Sequence, residues 1–182
     1  MVIKKKTILI ENKKFILRKL RINDEQMLKR FFLSLSSETK KWYSPHSFDD
    51  KTAEEICSKK DKFFERVIIL YNKDIIGYCV VFLGLRKWER IRYNGKFEEK
   101  EVCTIAPCVH EKFQHIGLGM EMIKYVIDIS LNYNKKVIFL YGGVVVKNKK
   151  AVNFYKKLNF NINRKWLHPL KKVMSYDMYL EI

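Results

Sequence analysis

The sequence predicts one α+β domain on a mixed sheet, and three observations predict it. Short strand-like runs open and close the chain, apolar residues recur at helical spacing between them, and the second half alternates helix with strand. The length agrees: 182 residues, 47% hydrophobic and 14% aromatic, suffice for one well-buried core and are too few for two comfortable ones. The expectation is a single domain over residues 1–182.

In order, "KKTILIENKKFILRKLRIND" reads as two short strands around a polar turn, with Ile8, Ile10, Ile16 and Leu20 apolar and Asn23-Asp24 placed to cap the next element. Met27, Leu28, Phe31, Phe32 and Leu35 then predict a helix over residues 24–35,. "SSETKKWYSPHSFDDKT" reads as a loop, and Thr52 with Glu55 as a capping box opening a helix to about Phe64,. "RVIILYNKDIIGYCVVFLG" is a hairpin turning at Asn72-Lys73-Asp74, "LRKWERIRYNGKFEEKE" a charged loop or strand extension, and "VCTIAPCVH" a strand,. From Gly117 to Leu131 an apolar stripe of Leu118, Met122, Val126 and Ile129 predicts a helix,. "KVIFLYGGVVV" is a buried strand interrupted at Gly142-Gly143. Asn148 caps a helix whose Ala151, Phe154, Tyr155 and Leu158 face inward, and "FNINRKW" and "VMSYDMYLEI" close the chain as strands,.

Composition narrows the function classes. No apolar run approaches the roughly 20 residues of a membrane helix, and the N-terminus lacks the apolar core of a signal peptide, so a cytoplasmic protein without a membrane partner is expected. Cys57, Cys79, Cys103 and Cys108 show no CxxC spacing, which suggests neither a disulfide framework nor a zinc site. The net charge of +17 points to an anionic partner if to any. Lysine supplies 29 of the 37 basic residues and is spread over every segment, whereas a nucleic-acid footprint concentrates charge on one face. A lysine-rich surface is the simpler reading, and nucleic acid is disfavoured as a partner.

Gly117 and Gly119 come after a strand and open a helix. That arrangement exposes unpaired N–H groups at a helix N-terminus, where an anion, phosphate above all, is bound well. A dinucleotide fingerprint would need glycine where Met122 stands, and nothing supplies the G-K-[ST] of a P-loop,. The alternative is a loop glycine next to a packing glycine.

A third phosphate template fits. "VHEKFQHIGLG" resembles the Q/R-x-x-G-x-G/A acyl-CoA signature of the GCN5-related N-acetyltransferase (GNAT) superfamily, matched at Gln114, His115, Ile116, Gly117, Leu118 and Gly119. "NKKAVNFYKKLNF" resembles the family's N-x-x-A-x-x-F-Y-x-x-x-G-F, matched at Asn148, Ala151, Phe154, Tyr155 and Phe160. The family's element order matches nearly the whole chain. The resemblance implies a mixed, mostly antiparallel central sheet flanked by about four helices, with strands splayed at the cofactor cleft. It also implies direct transfer of an acetyl group from acetyl-CoA to an amine, with coenzyme A as product.

Carried residue by residue, the resemblance implies that Cys108, Val109 and His110 offer backbone groups to the pantetheine arm and an N–H to the thioester carbonyl. Gln114 to Gly119 would hold the pyrophosphate, and Asn148 would reach the pantetheine. Tyr155 matches the tyrosine that protonates the leaving thiolate; the alternative is a core aromatic beside Phe154. The glutamate that some relatives use as base is replaced by Gly143. Glu101 is a candidate base acting through water, beside the equally acidic Glu98 and Glu99, and the three together also read as a solvated charge cluster. Further departures are Glu111 for the usual proline, Gln114 for a basic residue and Asn159 for glycine; His110 and His115 border the phosphate loop as added charge or as solvated histidines.

Three readings stay open: an active N-acetyltransferase, a non-catalytic acyl-CoA-binding module and a basic nucleic-acid-binding domain. For the first, a primary amine of a small molecule is the leading acceptor and a protein N-terminus or lysine the second. Trp42, Tyr43, His46, Asp49 and Asp50 are candidate acceptor contacts or an ordinary surface loop. A homodimer is left open.

Overall fold

The computed structural model describes residues 4–43, 45–58, 61–87, 89–90, 96–168 and 172–182. Part of the charged stretch expected before "VCTIAPCVH" therefore lies outside the described residues. The chain forms two compact parts, residues 1–81 with 106–129 and residues 82–105 with 130–182.

In the first part, β1 (Lys6–Ile10), β2 (Lys13–Lys19), β3 (Phe64–Tyr71) and β4 (Asp74–Phe82) succeed one another across the sheet. Both hairpins turn through paired left-handed residues, Glu11-Asn12 with φ of 48° and 59° and Asn72-Lys73 with φ of 47° and 71°. Such pairs match the twist of the flanking strands. Beyond β4 runs β5 (Val102–Val109), whose last four residues belong to this part.

The helices of this part are α1 (Glu25–Ser34), α2 (Ser37–Trp42), α3 (Asp50–Ser58) and most of α4 (Leu118–Asn132). Leu28, Phe31, Phe32, Ala53, Ile56, Ile68 and Tyr78 form one buried cluster with Cys108, so the helical stripe over residues 24–35 faces inward as its spacing demands. Met122, the residue that excludes a dinucleotide fingerprint, is a core side chain: a Cβ on Gly77 would lie 2.9 Å from its methyl carbon.

Three expectations are corrected. Asp24 stands at the N-cap of α1, but its side chain caps no N–H of that helix; it is 3% exposed and takes a two-pronged bond from Arg18 at 2.6 and 2.7 Å and the Arg21 N–H at 2.7 Å. The loop expected over residues 36–52 contains α2, a fifth helix among the described residues. The helix expected to begin at Thr52 begins at Asp50, because Asp49 caps the Thr52 N–H at 2.7 Å, and it ends at Ser58, with β3 starting at Phe64.

In the second part, the first four residues of β5 pair in parallel with β6 (Val137–Leu140), in the register Val102↔Val137 to Ile105↔Leu140. Antiparallel β9 (Met174–Glu181) pairs with β6, with β7 (Val144–Val145) and with β8 (Asn161–Leu167). Helix α5 (Lys149–Lys157) buries Val152 and Tyr155, whereas Ala151, Phe154 and Leu158, expected to face inward, are only half-buried. Asn159 takes φ 63°, the left-handed helix end that its glycine-like tolerance allows. The four cysteines are buried free thiols. Among the described residues no helix is long and apolar enough to cross a membrane and no metal-ligand cluster occurs.

Candidate active site

The chain between β5 and α4 is held tightly at both ends. A short turn, Glu111–Phe113, succeeds the strand, and the Phe113 N–H donates to the His110 carbonyl at 2.8 Å. The Phe113 ring packs on Tyr71 at 5.5 Å and on Phe15 at 6.5 Å. Gln114 then folds back, its Nε2 donating to the Val109 carbonyl at 2.9 Å. His115 (φ 68°) and Gly117 (φ 91°) are both left-handed, and α4 begins at Leu118, with the Glu121 N–H donating to the Gly117 carbonyl at 3.2 Å.

Helix geometry leaves the N–H groups of Leu118, Gly119 and Met120 without intrahelical acceptors. A Cβ at Gly117 would meet nothing within 4 Å, so glycine is required there by its φ, and the space above the backbone is open. A groove of about 460 Å³ adjoins it, lined by Ile8 to Ile10, Ile116, Gly117, Met120 and Glu121. An open, positively poled helix end after a clamped loop fits a phosphate group, as the glycine spacing implies.

Of the backbone groups expected from Cys108 to His110, those of His110 are committed: its N–H donates to Ile76 at 2.9 Å and its carbonyl takes the Phe113 N–H. Adjacent residues of a strand point their N–H groups to opposite edges. The Val109 N–H therefore lies on the edge of β5 turned away from β4, and Gln114 covers the carbonyl of the same residue.

Asn148 caps α5, its Oδ1 accepting the Ala151 N–H at 3.1 Å. Tyr155, 8% exposed, packs against Phe154 at 5.1 Å and Phe160 at 5.2 Å. Glu101 precedes the first residue of β5, and its carboxylate pairs with Lys136 at 2.5 Å. Gly143 is crowded rather than open: with φ +72°, its Cβ would lie 2.7 Å from the Tyr176 carbonyl oxygen, 3.2 Å from Trp166 Nε1 and 3.3 Å from Asp177 Oδ1. No glutamate fits at that position. Asp177 itself is buried and holds Arg164 Nε at 3.1 Å, a pair that sequence spacing does not single out.

The acceptor candidates are drawn into structure. Trp42 Nε1 donates to Glu38 at 2.8 Å. Tyr43, half-buried, packs on Phe48 at 4.5 Å and on His46 at 5.2 Å, and burial pushes its phenol well above the ordinary value. The Ser47 hydroxyl, then the Thr52 N–H and hydroxyl, hold the Asp49 carboxyl down to about 2. Asp50 opens α3 on the surface.

His46 packs edge-on or tilted among Phe32, Tyr43, Phe48 and Tyr78 at 5.2 to 5.6 Å. Its Nδ1 lies 2.7 Å from the Ser47 carbonyl, so Nδ1 carries the proton of the neutral ring. Burial lowers its pKa from 6.5, with the Ser47 bond and Asp49 opposing and Arg66 reinforcing. A histidine lowered by folding contributes stability that is complete above its unfolded pKa and is lost as pH falls below it. The unfolding free energy of the wild type, from urea melts, is expected to fall more steeply below pH 6.5 than that of His46→Gln, by at most about 1.4 kcal/mol per pH unit; parallel curves would refute this.

The fold has counterparts among known structures. The structure resembles the GNAT domain of S. lividans PAT, with TM-score 0.77 at 11% identity over 98% of this chain and 97% of that one. It also resembles a ribosomal-protein-S5-alanine acetyltransferase from Vibrio fischeri, with TM-score 0.76 at 12% identity over 97% and 96%. Aminoglycoside acetyltransferase AAC(6')-Ib in complex with coenzyme A gives 0.67 at 16% identity over 92% and 94%. At such identities these likenesses show the fold, a mixed, mostly antiparallel open sheet with about five helices. The model of the acetyltransferase (GNAT) family matches residues 28–160, and the chain belongs to that family.

Proposed function

We propose that the chain is a single-domain, cytoplasmic N-acetyltransferase that moves an acetyl group from acetyl-CoA to a primary amine of a small molecule. The observation that carries the reading is the open N-terminus of α4 at Gly117, behind a loop clamped by Gln114. Acetyl-CoA supplies the acetyl group as an activated thioester. The N–H groups of Leu118 to Met120 receive the pyrophosphate, with His115 and Ile116 shaping the approach. The Val109 N–H donates to the thioester carbonyl and stabilises charge developing on its oxygen, while Cys108 and His110 hold the strand. Asn148 contributes to the pantetheine and Tyr155 returns a proton to the departing sulfur. Glu101 acts as base through water, since its own carboxylate is paired with Lys136.

A small amine is favoured as acceptor by the likeness to AAC(6')-Ib, an aminoglycoside acetyltransferase. The likeness to a ribosomal-protein acetyltransferase supports a protein amine as the second reading. Calorimetry with acetyl-CoA and hydrolysis-corrected coenzyme A release over a panel of aminoglycosides, polyamines, amino acids and peptides test both. Saturable binding with turnover on a small amine is expected. Binding without turnover on any amine would indicate an acyl-CoA-binding module, and no binding would refute the proposal.

A further inference from the structure

Glu111 stands where the family resemblance leads one to expect proline, and its carboxylate reaches out of the donor loop. Oε1 accepts the Ser36 N–H at 3.0 Å and Oε2 accepts the Thr39 hydroxyl at 3.2 Å. The two partners are themselves joined: the Ser36 hydroxyl donates to Thr39 Oγ1 at 3.1 Å, and Ser36 Oγ accepts the Thr39 N–H at 3.2 Å. Ser36 is thus the N-cap of α2, and Thr39 stands three residues on, where a capping-box glutamate would bond back to the N-cap N–H. Here that bond comes from Glu111, 75 residues away. Burial would raise the Glu111 carboxyl, but its own N–H, the Ser36 N–H, His110 and the Thr39 hydroxyl outweigh that and hold it low, so it is ionised when it caps.

Helix α2 has six residues and buries none fully, and a helix so short does not persist on its own propensity. Glu111 is also the first residue of the turn between Val109 and Gln114, so the same side chain is fixed by the loop that would receive the donor. We propose that Glu111 is a positioning residue that couples occupation of the donor loop to the order of α2 through residue 43. The inference rests on the acetyl-CoA reading of the α4 N-terminus.

Hydrogen exchange of the full chain with and without coenzyme A tests this without knowledge of the acceptor. In the wild type, coenzyme A is expected to slow exchange at residues 110–119 and, through Glu111, to slow it about five- to tenfold at residues 37–43, the usual size of coupling between sites. In Glu111→Gln the first effect stays and the second falls below about twofold. Thr39→Val, which keeps the Ser36 cap, is expected to weaken the second effect in the same direction. Slowing at 110–119 alone in the wild type, or slowing at 37–43 that survives in both variants, overturns the coupling only. A wild type that shows no binding heat with coenzyme A and no protection anywhere overturns the acetyl-CoA reading and this proposal together.

Discussion

Gly143→Ala is expected to lose about 2–5 kcal/mol of stability, read as a lower urea midpoint with unchanged slope. Two effects add. The left-handed backbone, φ +72°, strains any residue with a Cβ by about 1–2 kcal/mol. The added carbon would also sit 2.7 Å from the Tyr176 carbonyl oxygen, a backbone atom fixed by the Val144↔Tyr176 pairing of β7 with β9. Overpacking of this kind adds about 1–3 kcal/mol, because β9 also carries β6 and β8 and has nowhere to retreat. Gly143→Glu, which would restore the carboxylate seen in some relatives, is expected to unfold this part rather than raise activity. Gly117→Ala is the control: its φ of +91° carries the same strain, but open space surrounds it, so only about 1–2 kcal/mol is expected. A Gly143→Ala midpoint equal to that of the wild type would overturn the account.

These glycines show how far a sequence can be read. Both are visible as interruptions, Gly117 before a helix and Gly143 within a strand. Their reasons differ because one faces open space and the other faces β9, a neighbour more than thirty residues later in the chain. Periodicity locates α1 and α4 because each buries a face that repeats locally, and the β3–β4 hairpin shows instead as two β-branched runs around a polar turn, with β4 buried on both faces. Local reading misses α2, whose cap is completed by Glu111 from far along the chain, and it misplaces the start of α3 by taking Thr52 rather than Asp49 as cap. The glycine turn that opens α4 is legible because backbone conformation at a glycine needs little side-chain context,. The acceptor residues are not: Tyr43 and His46 look like recognition groups in a row of letters, and packing against Phe32 and Phe48 turns them inward.

Tyr155→Phe is expected to lower kcat on the best amine of the panel by about 10²- to 10⁴-fold, the usual worth of a positioned acid. Acetyl-CoA affinity by calorimetry should change less than about twofold, because loss of an interaction made in the transition state leaves ground-state binding in place. The substitution keeps the ring that packs between Phe154 and Phe160, so the melting midpoint separates chemistry from folding. A phenol near pKa 10 is a weaker acid than a thiol near 8.5, so protonating the thiolate is uphill in water. The reaction therefore uses Tyr155 only if the site holds donor and acceptor atoms close enough for transfer as the carbon–sulfur bond breaks. That demand predicts a second signature: with a poorer leaving group than coenzyme A, the variant should lose more activity than with a better one. A Tyr155→Phe enzyme with wild-type kcat, or one equally slowed for every leaving group, would assign the tyrosine to packing alone and leave the thiolate to depart unprotonated.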